Sequence, residues 1–146
     1  MILFCDTSAL VKLYIAEDFS PEVSEQAQAA SAIAICRIAW AEAMTAFARR
    51  VREQAEDAED AEVHDSVRQR LRKDWPDDAM VEVTQPLVEL AGDYADTFAL
   101  RGHDSVQLAA AHIMQEASQE ALLFACFDAR LQRAAQVLGM AGLGTH

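Results

Sequence analysis

Three short apolar runs constrain the fold of this chain more than any other feature. They are ILFC at residues 2–5, SAIAIC at 31–36 and ALLFACF at 121–127. A short continuous run of this kind is typical of a strand buried on both faces, whereas a strand with one solvent face alternates apolar and polar residues. The stretch MVEVT at residues 80–84 does alternate, and it is predicted to form a shorter strand.

Segments with helical spacing of apolar residues separate the predicted strands. They cover residues 7–17, 20–31, 37–54, 63–75, 86–102, 104–118 and 128–139. Ser20 is predicted to cap the second of these helices, with Pro21 at its first position, and Gly102 and Gly139 are predicted at the ends of two others. Strands that alternate with helices, without hairpin signals, indicate an α/β fold with a central parallel sheet of four or five strands flanked by helices.

The chain has the size of one ordinary domain. Its 146 residues, of which 52% are hydrophobic, can bury a substantial core, so a single domain over residues 1–146 is predicted. Cys5, Cys36 and Cys126 each lie in an apolar run without zinc-site spacing, and they are predicted to be buried thiols. Because the first residues are not basic and no apolar stretch approaches the ~18 residues of a membrane span, we expect a soluble, cytoplasmic protein with no membrane partner.

The chain is strongly acidic. It has 24 Asp and Glu residues against 12 Lys and Arg, a formal net charge of −12, which argues against broad nucleic-acid binding through phosphate neutralisation. A nuclease whose acidic site is neutralised by a bound cation is compatible with this balance. Six of the acids fall in residues 53–62, which are predicted to form a solvated helix end or a loop. Basic residues flank this run at Arg49, Arg50, Arg52, Arg68, Arg70, Arg72 and Lys73.

Two interpretations of these flanking basic residues stay open. If the two helices that carry them form a hairpin, the basic side chains come together and offer a surface for RNA phosphates. Alternatively, they balance the acidic run that lies between them, since most runs of charge belong to solvated helix faces.

Three acids stand at the predicted starts of helices. Asp6 directly follows ILFC, Asp128 directly follows ALLFACF, and Asp104 opens a helix with Gln107 three positions on. An N-cap role explains each acid taken alone, and Asp104 with Gln107 fits a capping box. In parallel α/β sheets, however, functional sites gather at the carboxyl ends of the strands, which is where Asp6 and Asp128 are predicted to lie.

Glu42 is a different case, because it lies inside a helix among apolar residues. Its neighbours are Ala41 and Ala43, and the positions four residues away are Ile38 and Ala46, so no helical salt bridge explains it. An acid in such surroundings either faces solvent or pairs with a positive group. Solvent exposure is the simpler interpretation.

The four acids become a single site if the fold brings them together. Asp6 and Asp128 would then meet at the sheet edge, with Glu42 and Asp104 pointing inward from adjoining helices. Carboxylates packed that closely raise one another's pKa unless a cation neutralises them. All-oxygen ligation favours Mg²⁺ or Mn²⁺, and a metal-activated water that attacks a phosphodiester is the reaction typical of such sites.

Four segments resemble, in order and spacing, the acidic motifs of PIN-domain ribonucleases of the VapC toxin type. They are LFCDTSALVKLY, ICRIAWAEAMTAFAR, LRGHDSVQLAAA and FACFDARLQRAA, and together they span residues 3–135. The resemblance implies a PIN-like fold and Mg²⁺- or Mn²⁺-dependent endonucleolytic cleavage of RNA. It also implies that Asp6, Glu42, Asp104 and Asp128 are the catalytic, metal-binding quartet, supported by Ser8. A homodimer and a cognate VapB-like antitoxin are the partners implied besides RNA.

Three alternatives remain at this point. A structure-specific DNA nuclease of related fold would use the same carboxylates. A haloacid-dehalogenase-like or phosphotransfer enzyme would need a second acid two residues after the first, where this chain has Ser8. A non-catalytic α/β interaction domain would need the acids only as helix caps, and would lose about 0.5 to 2 kcal/mol of stability for each cap replaced by Ala.

Overall fold

A five-stranded parallel sheet forms the centre of the molecule, as expected from the apolar runs. The computed structural model describes residues 1–54 and 58–144. Within them the strands are β1 (Ile2–Cys5), β2 (Ala32–Cys36), β3 (Ala79–Val81), β4 (Leu122–Ala125) and β5 (Ala141–Gly142). The strand order is β3-β2-β1-β4-β5 and every pairing is parallel, which confirms the predicted α/β class. Only β5, two residues long, was not predicted.

Helices cover both faces of the sheet. They are α1 (Thr7–Lys12), α2 (Ser20–Ala29), α3 (Ala39–Gln54), α4 (Ala58–Asp74), α5 (Gln85–Phe98), α6 (Gly102–Ala117) and α7 (Ala129–Val137), with a short 3-10 helix at Trp75–Asp77. Leu3 and Cys5 pack into the core beneath α1, α3 and α4, whereas Phe4 packs into a second core beneath α5, α6 and α7. Because successive strand residues point to opposite faces and both faces are covered, ILFC is apolar without a break.

Several helix ends differ from the predictions: α1 ends at Lys12 and not at residue 17, α4 begins at Ala58 and not at residue 63, and α5 ends at Phe98 and not at residue 102. Ser20 is the first residue of α2 and not its N-cap, which is Phe19 with φ 70°. The Ser20 hydroxyl instead accepts from the Glu17 N–H at 3.0 Å and donates to the Ile15 carbonyl at 2.9 Å, so it stabilises the preceding turn. At the end of α5 the left-handed position is Ala99, with φ 55°, while Gly102 begins α6.

Helices α3 and α4 pack against each other, which was the condition for the first interpretation of their basic residues. Three of the basic residues on these helices contact other side chains of the protein. Arg50 pairs with Glu17, Arg70 lies over the Tyr14 ring at 5.3 Å, and Arg72 lies over the Trp40 ring at 5.1 Å. Residues 55–57, in the middle of the acidic run, lie outside the described residues. The three thiols are buried and unpaired as predicted. None of the described helices combines the length and apolarity needed to span a membrane.

Candidate active site

All four acids singled out in the sequence line one open pocket of about 330 Å³. The pocket lies at the carboxyl ends of β1 and β4, which are neighbours in the sheet. The strand order shows why it forms here: the chain runs outward from β1 through β2 and β3, then returns to place β4 on the other side of β1. Helices that follow strands on either side of such a switch point diverge and leave a crevice between them.

Asp6 is one of two buried acids in this pocket, with 6% of its surface exposed against 8% for Asp104. Its Oδ1 accepts from the Ser8 hydroxyl at 2.7 Å and from the Ala9 N–H at 2.9 Å, so it does cap α1 as the simpler interpretation predicted. Burial raises the pKa of Asp6 to about 6, against the lowering effect of these two hydrogen bonds and with a further increase from the charges of Asp104 and Glu42.

Glu42 lies in the first turn of α3 and is half-buried, so it does not point freely into solvent. Its Oε1 accepts from the Thr7 hydroxyl at 2.9 Å and from the Gln107 amide Nε2 at 3.1 Å. Gln107 also donates to the Thr7 hydroxyl at 3.2 Å. The three side chains come from α3, α1 and α6, so the orientation of Glu42 depends on how these helices pack around the pocket.

Asp104 does not cap α6, and the capping-box prediction for it is wrong. The N-cap of α6 is Arg101, so Asp104 lies inside the first turn. Its Oδ2 accepts from the Arg101 Nε at 3.1 Å, and its Oδ1 lies 3.4 Å from the Nε2 of His103. Gln107, the supposed partner in the box, is 2% exposed and turns to Thr7 and Glu42, and its own Oε1 has no hydrogen-bond partner among the described residues.

Asp128 caps α7, with its Oδ1 accepting from the Leu131 N–H at 2.9 Å. Unlike Asp6 it is exposed, at the outer rim of the pocket. Ser8, predicted to support the site, is exposed as well and touches the site through its hydrogen bond to Asp6.

The donor chemistry of the pocket fits a hard divalent cation. In Asp6, Glu42 and Asp128, one carboxylate oxygen is held by the hydrogen bonds given above, while the other receives none from the described residues. Across residues 1–54 and 58–144, no three His, Cys, Asp or Glu side chains are grouped so as to hold one ion. A closed protein cage is not what Mg²⁺ needs, since it is usually bound by one or two carboxylates and keeps several waters.

Several residues of the pocket were not assigned to it from the sequence. They are Thr7, Arg101, His103, Gln107 and Phe127. Thr7 and Phe127 each adjoin one of the predicted acids along the chain, and Gln107 lies one helical turn beyond Asp104, which places it on the same face of α6. Adjacency and helical spacing were therefore the available signals, although neither gives the partner of each side chain.

The PIN domain model matches residues 3–137 of this chain. Among solved structures, the chain is similar to FitAcB from Neisseria gonorrhoeae, with 18% identity, a TM-score of 0.66, and coverage of 99% of this chain and 97% of that one. It is also similar to VapBC2 from Rickettsia felis bound to a DNA fragment from their promoter, with 11% identity, a TM-score of 0.63 and 97% coverage of both chains.

A toxin-antitoxin complex from Klebsiella pneumoniae is a further structural neighbour, with 19% identity, a TM-score of 0.57 and 84% coverage of both chains. At these identities the likeness to solved structures supports the fold alone. A comparison with curated protein sequences finds no match.

Proposed function

This chain belongs to the PIN domain family, and from that premise we propose that it is a divalent-metal-dependent endoribonuclease that serves as the toxin of a toxin–antitoxin pair. Its catalytic centre would be the pocket lined by Asp6, Glu42, Asp104 and Asp128. Nuclease chemistry is the activity of the family, and the choice of RNA as substrate and of Mg²⁺ or Mn²⁺ as cofactor follows from the VapC-type motifs.

The observation that carries this proposal is the convergence of four acids from four separate segments on one pocket, two of them without a capping role. Asp6 and Asp128 cap helices, so a structural explanation covers them. Glu42 and Asp104 cap nothing, yet the protein brings both toward the same pocket as Asp6, where their charges raise its pKa. The crowding of these charges around a buried carboxylate costs stability in the absence of a cation.

The side chains of this pocket would have different roles in cleavage. Asp6 and Asp104, the two buried acids, would hold the cation directly, and Glu42 and Asp128 would act through water. When bound, the ion would polarise a phosphate oxygen and lower the pKa of a water molecule that attacks the phosphorus. Ser8 and the Ala9 N–H fix the Asp6 carboxylate, while Thr7 and Gln107 fix Glu42. Because the pKa of Asp6 is about 6, its carboxyl group must release a proton before it can bind a cation in weakly acidic solution.

The partners proposed are a VapB-like antitoxin and a second copy of the chain. Support for the antitoxin comes from the neighbours, which were solved as FitAcB, as VapBC2 and as a toxin-antitoxin complex. Induced expression in a bacterial host tests the toxin role: growth should stop with the wild type and continue with Asp6→Asn. The oligomeric state of the purified chain, measured by light scattering, tests the dimer.

Cleavage of a mixed RNA pool by the purified chain tests the enzymatic proposal. We expect cutting with Mg²⁺ or Mn²⁺, none with chelator, and none by Asp6→Asn. The matched control is Asp96→Asn, because Asp96 is an exposed acid on α5, outside the pocket, and loses the same charge. Single-stranded and duplex DNA of the same sequences are run in parallel, and cleavage of DNA alone would favour the related DNA nuclease. If no substrate is cut and Mg²⁺ leaves the melting temperature unchanged, the acids are structural and the proposal fails.

A further inference from the structure

A second cleft, of about 350 Å³, adjoins the acidic pocket. It shares Arg101, Asp104 and Asp128 with that pocket, so the two cavities border each other at these side chains. Its charged residues other than the two acids are all basic: Arg101, just before α6, and Arg130 and Arg133 on α7. Three of the 12 basic residues of the chain therefore lie directly beside its most acidic pocket.

The three arginines differ in how they are held. Arg101 contacts Asp104 through its Nε at 3.1 Å and its side chain is 69% exposed. Arg130 donates from its Nη1 to the Ala99 carbonyl at 2.9 Å, and this hydrogen bond holds its guanidinium group against the loop between α5 and α6. Arg133 is exposed and makes no hydrogen bond or ion pair within the parts of the chain that the structure describes.

This cleft contrasts with other basic sites of the protein. Lys12 and Arg50 both pair with Glu17, and Arg37 pairs with Glu82. Arg130 and Arg133, by contrast, lie one turn apart on α7, a helix whose sequence ARLQRAAQV contains no acid. Like charges at this spacing repel each other slightly, so an anion bound between them would stabilise the pair.

We propose that this arginine cleft binds the phosphate that neighbours the scissile one in the nucleic-acid substrate. The proposal rests on the nuclease function proposed above. Guanidinium groups bind phosphate through paired N–H donors, and they remain charged at any working pH. A polynucleotide with one phosphate at Asp6 and Asp104 would lead its next phosphate past Asp104 and Asp128 into the cleft. The cleft thereby explains how a chain of net charge −12 can hold a polyanion at this site.

Steady-state kinetics of Arg133→Gln on two substrates tests this role. One substrate is an oligoribonucleotide, and the other is bis(p-nitrophenyl) phosphate, which has a single phosphodiester and cannot reach both cavities. For the oligonucleotide we expect KM to rise about fivefold with kcat within twofold of wild type, because one exposed charge contact is lost. For the single diester neither constant should change. Equal effects on both substrates would overturn the proposal, since they would indicate a general disturbance of the site.

Lys73→Gln is the matched control, because it removes the same charge from an exposed residue elsewhere. Lys73 lies in the last turn of α4, just before the 3-10 helix and β3, and therefore at the amino edge of the sheet, opposite the pocket. Long-range attraction of RNA to positive charge would make the two variants alike, and this outcome would also contradict a local phosphate site. A loss confined to Arg133→Gln supports it.

A binding measurement separates this proposal from the nuclease proposal. Fluorescence anisotropy with a labelled single-stranded RNA, in the Asp6→Asn background, needs no cleavage. We expect Arg133→Gln to weaken binding about fivefold and to reduce the slope of log K against log salt by about 0.7, the value for one phosphate contact on a single strand. An unchanged slope would overturn the arginine cleft whatever the catalytic result. A reduced slope in a protein whose wild type cuts nothing would retain the cleft and reject the nuclease.

Discussion

Asp6 and Asp128 occupy equivalent places on neighbouring strands, yet the protein treats them differently. Asp6 directly follows β1 and Asp128 follows β4 after two intervening residues, and each caps the next helix by accepting from the N–H three residues on. Asp6 is buried and its pKa is raised to about 6, whereas Asp128 is exposed. The same local sequence pattern therefore places one acid inside the pocket and the other at its rim.

The difference follows from what covers the two strand ends. β1 is the central strand of the sheet, and α1 buries Ala9, Leu10 and Val11 beneath α3. β4 lies next to the edge strand β5, and α7 begins with the exposed residues Ala129 and Arg130. A carboxylate at a central, covered strand end loses its water, and this loss makes it sensitive to a cation in a way that an exposed carboxylate is not.

Replacement of each acid by Asn should give the largest measurable contrast between the two positions. Asn caps a helix as well as Asp does, so both variants should fold. We expect Asp6→Asn to lower kcat for RNA cleavage by about 10³-fold and Asp128→Asn by about tenfold, because Asp6 is the one of these two residues that would bind the cation directly. Circular dichroism of both variants verifies the fold. Equal losses would mean that burial does not distinguish their roles.

The pH dependence of stability should show the same contrast without any catalysis. The pKa of Asp6 rises from 3.8 to about 6 on folding, so the folded protein retains a proton that the unfolded chain releases. Stability due to this group is therefore present below about pH 4 and is lost as the pH rises to about 6, by at most about 3 kcal/mol. Urea unfolding in chelator, between pH 4 and 8, measures the loss.

The comparison of variants isolates this contribution. Asp78 has a pKa raised to about 7 by burial and by the charges of Asp74 and Asp77, and it contributes to the same pH dependence in every variant. Asp6→Asn should remove only the part of the decline in stability with pH that the Asp6 carboxyl group causes. The variant should therefore be more stable than wild type at pH 7.5 in chelator. Asp128→Asn should leave the decline due to Asp6 in place, because the charges that raise the pKa of Asp6 are those of Asp104 and Glu42. A wild-type profile in Asp6→Asn would show that Asp6 is not the destabilised acid.

The parts of this site that could be predicted from sequence are those set by local pattern. ILFC and ALLFACF are apolar on both faces of the sheet, and the residue after each must lie at the carboxyl edge, which places Asp6 and Asp128 without further information. Helical spacing similarly gave α3 and α6. The strand β5 escaped notice because two residues are too few to show any periodicity.

The parts that could not be predicted depend on contacts between distant segments. Gln107 donates to Thr7, 100 residues away in the sequence, and this partner replaced the one that a capping box would have given it. The box failed because α6 begins after Arg101, three residues before Asp104. Arg50 likewise pairs with Glu17, in the loop between α1 and α2, instead of joining a basic surface. Local spacing restricts where a side chain can point but does not choose among its tertiary partners.

Removal of the hydrogen bonds to Glu42 should have an intermediate effect. Gln107→Leu keeps the approximate volume but removes the Nε2 donor and the unpaired Oε1, and Thr7→Val removes the hydroxyl donor at nearly constant shape. We expect each variant to lower Mg²⁺ affinity or activity by about tenfold to 100-fold, the usual effect of losing a group that orients a metal-binding carboxylate. Calorimetric titration with Mg²⁺ measures it. Unchanged affinity in both variants would remove Glu42 from the proposed metal site.

The smallest expected effect is the loss of the helix cap at Asp128. Asp128→Ala removes the acceptor for the Leu131 N–H and should lower the free energy of unfolding by about 1 kcal/mol, whereas Asp128→Asn keeps an acceptor and should cost little. Chemical denaturation of the two variants, compared with their cleavage rates, separates the helix-capping role of Asp128 from its role in the pocket. If both variants lose activity equally and only Asp128→Ala loses stability, the negative charge of Asp128 acts in the pocket and its side-chain oxygen caps the helix. Activity retained in Asp128→Asn means that the cap is all that Asp128 supplies, and the site is then built from the three remaining acids.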